Sequence, residues 1–347
     1  MTGKQNAGPG PVLRSPERLE AWVSRIFLAE GLREEHAQIV AKVLVWANLR
    51  GMDTHGVLRV PLYVTLIRNG DLNPRPSMAT RNEAAACVLL DADRAAGPVA
   101  MTRAADLAIE KAQQAGAGIC LVRGTTHTGA LGYYTHNAAD RGMAAIAFSS
   151  SGANMAYHGA RAAGVSTAPL ALAVPGERGP IALDMASGIV SMGKLRQAKR
   201  TGTRLEPGQV LDKDGNPTTD PQAATIPMPL GGAKGSGLAL LIECMTSLVT
   251  ANPILAEVLE RTPLGAHHRQ NGAVIVLDLA RFVDPAQFRR EAGRLARAIK
   301  ALPPQPGMEI LLPGERGARA AQQRRREGIP LPKAVHEELL GLMDEPA

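Results

Sequence analysis

Apolar residues recur at helical spacing where the chain begins and at strand spacing through its middle. Leu19, Trp22, Val23, Ile26 and Phe27 repeat every three or four positions, and Gly31 closes the run. Ser15-Pro16 ahead of them supplies a capping oxygen and a residue preset for the first helical turn. A second helix is predicted over 34–48, with Ala37, Val40, Val43, Leu44 and Ala47 inward. After the break at Asn73-Pro74-Arg75-Pro76 the pattern changes to short apolar runs separated by amphipathic segments. The runs predict strands at 87–91, 118–122, 144–149, 170–174, 181–184, 273–277 and 308–312, and the segments predict helices at 98–115, 130–141, 234–251 and 285–301. A final helical pattern covers 318–343 and should pack back on the first helices. The turn-rich stretch 210–217 reads as an exposed connection.

Alternating strands and helices predict an α/β fold with a sheet between helical layers. We expect residues 15–76 and 318–347 to form a helical domain, 77–317 a sheet-containing domain, and 1–14 a flexible tail rich in glycine and proline. At 347 residues, 45% apolar and with 36 glycines, the chain can bury a large core. Its charge of +7 permits anionic partners, but aromatic residues make up only 3%, too few for platforms that stack single-stranded nucleic acid. Arg316, Arg319, Arg324, Arg325 and Arg326 fit a solvated helix face better than a DNA-reading one, so nucleic acid is the remote alternative. Cys87, Cys120 and Cys244 are odd in number and far apart, which predicts neither disulfide nor zinc site and suits a reducing, cytoplasmic compartment. No signal sequence opens the chain, and the most apolar helix, around 237–251, is broken by Glu243 and too short for a bilayer.

Chemistry concentrates in Arg50-Gly51-Met52-Asp53-Thr54-His55-Gly56-Val57-Leu58-Arg59-Val60-Pro61-Leu62-Tyr63, where an imidazole, a guanidinium and a phenol fall within nine residues. A helix over 57–67 would put Arg59 and Tyr63 on one face and His55 at its amino end, a place that favours anions. His127, in Gly124-Thr125-Thr126-His127-Thr128-Gly129, follows a predicted strand, so it sits where α/β proteins bind ligands. Two histidines in glycine-rich surroundings point to acid–base chemistry near neutral pH. Gly231-Gly232-Ala233-Lys234-Gly235-Ser236-Gly237 runs into an apolar helix and offers free N–H groups and a cation to a pyrophosphate. It lacks the P-loop order, and no G-x-G-x-x-G follows a strand. Pro313-Gly314-Glu315-Arg316 is a second anion-compatible turn, and Asp184 either orients a ring or caps the following helix.

Taken in order, Asp53-Thr54-His55-Gly56, Arg59, Tyr63, Thr126-His127, Asp184-Met185-Ala186, Gly231 to Gly235 and Pro313 to Arg316 resemble the malate/L-lactate dehydrogenase family of the non-Rossmann type. That family includes ureidoglycolate, sulfolactate and diketogulonate oxidoreductases and cyclic-ketimine reductases. The resemblance runs from about Ser15 to Leu342, and its specificity lies in the order and spacing of motifs that are individually common. It implies a homodimeric NAD(P)-dependent 2-hydroxyacid dehydrogenase with a sheet-containing cofactor core of non-Rossmann topology. It implies His55 and His127 as catalytic residues and Arg59 and Tyr63 as substrate contacts. For the dinucleotide it implies Ser151, Pro180, Ile181, Ala182, Leu183, Asp184, Met185, Ala186, Ala233, Lys234, Gly314, Glu315 and Arg316. NAD and NADP both stay open; hydride transfer at C2 of a small 2-oxo or 2-hydroxy acid is the leading reading, reduction of a cyclic ketimine acid is the alternative, and no metal is implied. Ser166-Thr167-Ala168-Pro169 replaces the family's Gly-Thr-Asn-Pro, and Ala233 and Thr126 replace frequent polar residues, which puts malate or lactate as substrate in doubt.

Overall fold

The computed structural model describes residues 10–261 and 269–344. Among them a seven-stranded mixed sheet forms the centre. In chain order its strands are β1 (Ala79–Arg81), β2 (Cys87–Asp91), β3 (Ala117–Thr125), β4 (Ala144–Ser151), β5 (Leu170–Val174), β6 (Ile181–Met185) and β7 (Gln270–Leu277). They lie side by side as β1-β2-β3-β7-β4-β5-β6. Within this sheet β2 and β3 run parallel and the other neighbours antiparallel. A Rossmann sheet is mostly parallel, so the missing glycine fingerprint and the observed topology agree.

The last strand in sequence takes the central place because it is apolar on both faces. Val274 and Val276 of β7 pack with Ala104, Ala108 and Ile109 of helix α4 (Gly97–Ala115), while Ala273 faces Ala239 and Ile242 of α7 (Ala233–Glu243). A second core joins α1 (Pro16–Ala29), α2 (Glu34–Leu49) and α3 (Val60–Arg68) to Ile329, Leu331, Val335 and Leu339 near the C-terminus. Ser15 caps α1 by accepting from the Arg18 N–H, as its position predicts.

Several expectations fail for physical reasons. Val12–Arg14, expected in a frayed tail, is a strand paired antiparallel with Ile329–Leu331; residues 1–9 of that tail lie outside the described residues. Beyond α8 (Leu255–Leu259) and α9 (Pro285–Lys300), the single helix expected over 318–343 is two, α10 (Glu315–Glu327) and α11 (Lys333–Asp344), because Gly328 takes φ +96° and Pro330 and Pro332 lack the N–H a helix needs. The expected strand at 308–312 does not form. Met308 and Leu311 stay exposed, and the neighbouring edge strand β6 donates a bond just beyond this stretch, from the Ala182 N–H to the Pro313 carbonyl. Helix α7 stops short of Ala251 and passes into a π-turn at Cys244–Leu248, where the Thr246 hydroxyl donates to the Ile242 carbonyl and disturbs the ladder. The pattern also concealed α6 (Met192–Thr201), between β6 and the connection at 210–217.

Candidate active site

Between α2 and α3 the chain makes two 3₁₀ turns, Asp53–His55 and Val57–Arg59, instead of the continuous helix expected from Val57 onward. Asn48 at the end of α2 holds both: its side-chain oxygen accepts from the Val57 N–H at 2.8 Å and its amide donates to Asp53 at 2.7 Å. Arg324 of α10 grips the same Asp53 carboxylate at 2.6 and 3.1 Å. Arg59 is buried and donates Nε–H to the Thr54 carbonyl at 2.7 Å, which fixes the plane of its guanidinium. Pro61 has no N–H to lose and opens α3 cleanly.

His127 follows β3, on a loop that touches the start of α4 so closely that a Cβ on Gly97 would lie 2.2 Å from the His127 carbonyl oxygen. Thr126 anchors that contact, accepting from the Gly97 N–H and donating to the Ala95 carbonyl. Tyr63 is fully buried behind His127. Its hydroxyl donates to the His127 carbonyl at 2.8 Å and lies 2.9 Å from His127 Nδ1. A phenol has one proton, so we assign Nδ1 as the donor to the phenol oxygen; the competing Gly129 N–H is farther, at 3.3 Å. That tautomer gives Nε2 the lone pair.

His55 and His127 stack with ring centroids 5.7 Å apart, and both line a cavity of about 560 Å³ together with Arg59. Burial, then the charges of Arg59 and Arg196, push the proton affinity of His55 down to about 4, so its imidazole is neutral at physiological pH. Ser151 and Ala186 are on the same wall. Sequence reasoning missed Asn154, Thr167, Arg196, Arg269 and Gln270, which also face it. Thr167 lies in the segment 166–169 that departs from the family's Gly-Thr-Asn-Pro; the others sit in unremarkable local contexts, arrive by tertiary folding and carry no motif. Tyr63 is not on the wall.

The expected cofactor residues string along edge strand β6. At one end Pro313 bonds Ala182, and Gly314 and Glu315 border a second cavity with Pro180, Ile181 and Arg50. At the other end Ser187 accepts from the Leu230 N–H at 2.8 Å, which lays the turn carrying Ala233 and Lys234 beside Met185 and Ala186. Lys234 is exposed at the start of α7 and has no ion-pair partner among the described residues. Leu183 is exposed on the edge; Arg316 is exposed beside Glu315. Asp184 accepts from the Gly132 N–H at 2.8 Å, so it caps α5 (Gly132–Asp140) and not the helix that follows it. Burial lifts its pKa to about 6, against the opposing Gly132 bond and Arg50. Lys300, the Leu312 N–H and Arg319 hold the Glu315 carboxylate down to about 2. The run suits a dinucleotide: an open helix start with an unpaired lysine, a hydroxyl at Ser151 and a continuous edge linking two cavities. Arg319 and Arg324 are occupied in ion pairs with Glu309, Glu315 and Asp53, which counts against a nucleic-acid face.

A family model for malate/L-lactate dehydrogenase matches residues 14–340. The chain is 32% identical to L-sulfolactate dehydrogenase of Methanocaldococcus jannaschii, covering 96% of this chain and 97% of that protein. In structure it resembles malate dehydrogenase from Entamoeba histolytica, with a TM-score of 0.92, 27% identity and coverage of 97% and 99%. It also resembles delta1-piperideine-2-carboxylate reductase from Pseudomonas syringae, with a TM-score of 0.85, 28% identity and coverage of 95% and 99%.

Proposed function

The chain belongs to the malate/L-lactate dehydrogenase family, and on that premise we propose that it is an NAD(P)-dependent oxidoreductase acting at C2 of a small 2-hydroxy or 2-oxo carboxylic acid. The observation that carries this reading is the convergence of Arg59, His55 and His127, from segments far apart in sequence, on one cavity. Arg59, already oriented by the Thr54 carbonyl, receives the carboxylate through paired charged hydrogen bonds. His127 presents an Nε2 lone pair that takes the hydroxyl proton in oxidation and returns it in reduction, with Nδ1–H donating to Tyr63 in both states. His55, neutral and stacked on His127, provides a polar but uncharged flank. The nicotinamide, when bound, accepts or supplies the hydride. Ser151, residues 180–186, Ala233, Lys234 and residues 314–316 are the ones we assign to holding the dinucleotide.

The test is to follow NADH and NADPH absorbance in parallel against 2-oxo acids, ureidoglycolate in the oxidative direction, and cyclic ketimine acids. Turnover of ketimines alone would replace this reading with the imine-reductase one. No turnover and no thermal shift with either cofactor at millimolar concentration would reject both. We extend the proposal to a cytoplasmic homodimer, since Leu241, Met245, Leu248 and Val249 form an exposed apolar face on α7 and the π-turn; sedimentation of a fully active monomer would remove that part.

A further inference from the structure

Helix α6 lies directly on the turn that carries His55. A Cβ on Gly193 would fall 2.3 Å from the Thr54 methyl, so this close seat requires glycine, and it brings Arg196 one turn later to the cavity wall. Three guanidinium groups then line that wall, those of Arg59, Arg196 and Arg269, and no aspartate or glutamate does among the described residues. Arg269 is compensated by Glu257 at 2.9 Å. Arg59 bonds only a neutral carbonyl through Nε. Arg196 has no hydrogen bond or ion pair among the described residues. The site thus holds two positive charges without a protein counter-charge, and the carboxylate beside the reacting carbon answers only one of them.

We propose that Arg196 selects the substrate by the charge at its far end, so that preferred substrates carry a second anionic group, a carboxylate, sulfonate or phosphonate, beyond C2. This rests on the reading that Arg59 holds the first carboxylate. Arg196 also borders an adjoining cavity with Arg200 and Lys333, but its charge depresses the proton affinity of both His55 and Arg59, which places its field on the catalytic side. Arg196 is exposed on the helix, so its replacement leaves packing intact.

The experiment compares kcat/KM for oxaloacetate and for 2-oxobutyrate, of equal carbon number and different charge, in the wild-type protein and in Arg196→Gln and Arg196→Lys. The wild-type protein should prefer oxaloacetate. Arg196→Gln should lower the ratio about 10- to 100-fold, the worth of a charged hydrogen-bonded contact, and Arg196→Lys should restore part of it. A wild-type protein without preference, or an unchanged ratio in Arg196→Gln, would overturn the proposal. So would weakened NAD(P)H binding with the ratio intact, because Arg196 would then meet a cofactor phosphate. Melting temperatures with succinate and with butyrate test charge selection without turnover. If neither oxo acid reacts yet succinate alone stabilises the wild-type protein, and not Arg196→Gln, the hydride reading fails and the charge selection stands.

Discussion

Replacing Tyr63 with phenylalanine isolates the part of the site that structure and sequence place differently. Arginine and tyrosine four residues apart on a helix should share a face, so Tyr63 reads as a substrate contact. In the folded chain it is buried, and its hydroxyl bonds His127 twice, at the carbonyl and at Nδ1. The phenyl ring fills the same space, so the change removes only the hydroxyl. Without it the Gly129 N–H, 3.3 Å from Nδ1, favours the tautomer with the proton on Nε2 and withdraws the base from the cavity. One neutral hydrogen bond contributes about 0.5–1.5 kcal/mol net, and tenfold in rate corresponds to about 1.4 kcal/mol, so kcat should fall about 2- to 12-fold. Because Arg59 is untouched, KM for a 2-oxo acid should hold. Steady-state kinetics with saturating cofactor measure both. A rise in KM with unchanged kcat would mean that the phenol touches substrate, and the tautomer assignment would be wrong.

Two further outcomes follow from the same geometry. Arg59→Met keeps apolar bulk and removes the guanidinium, so KM for any carboxylate substrate should rise about 10- to 100-fold while NAD(P)H affinity, read by fluorescence titration, stays; unchanged KM would remove Arg59 from the site. Asp184 has a native pKa raised to about 6, so between its unfolded value and 6 the native state binds the extra proton and stability falls as pH rises through that window. Asp184→Asn keeps an oxygen for the Gly132 N–H and removes the titration, so it should gain on the wild-type protein by up to about 3 kcal/mol between pH 4 and pH 8 in urea unfolding; parallel stability–pH curves would refute the shift.

The sheet was legible where an apolar run is also the run that gets buried. Strands β2 and β5 match their predicted limits because the alternation along each ends at a turn. The run at 308–312 carries the same signal and stays coil beside the edge strand β6, since pattern alone cannot say whether a run will be buried, and Met308 and Leu311 are not. The break between α10 and α11 was visible as Gly328, Pro330 and Pro332, but helical periodicity on either side outweighed it. In the site, His55, Arg59 and His127 stood out because short glycine-flanked motifs hold them. Tyr63 follows Arg59 by one turn, since Arg59 caps α3 in helical conformation, but the spacing could not say that the phenol would be buried behind His127 and off the cavity wall. Arg196 and Arg269 had no local signal at all; one rides on a helix seated by Gly193, the other precedes the central strand.

The electrostatics of the cavity explain why two histidines are compatible with so many arginines. Burial alone disfavours a charged imidazole, and Arg59 and Arg196 disfavour it further, so the empty site keeps His55 neutral well below physiological pH. An anionic ligand seated on those arginines cancels the two repulsive contributions while the desolvation contribution remains. The proton affinity of His55 therefore rises when substrate arrives and falls when it leaves. On the proposed reading the arginines do two things with one charge: they hold the acid, and until it arrives they keep the imidazole stacked on the base neutral.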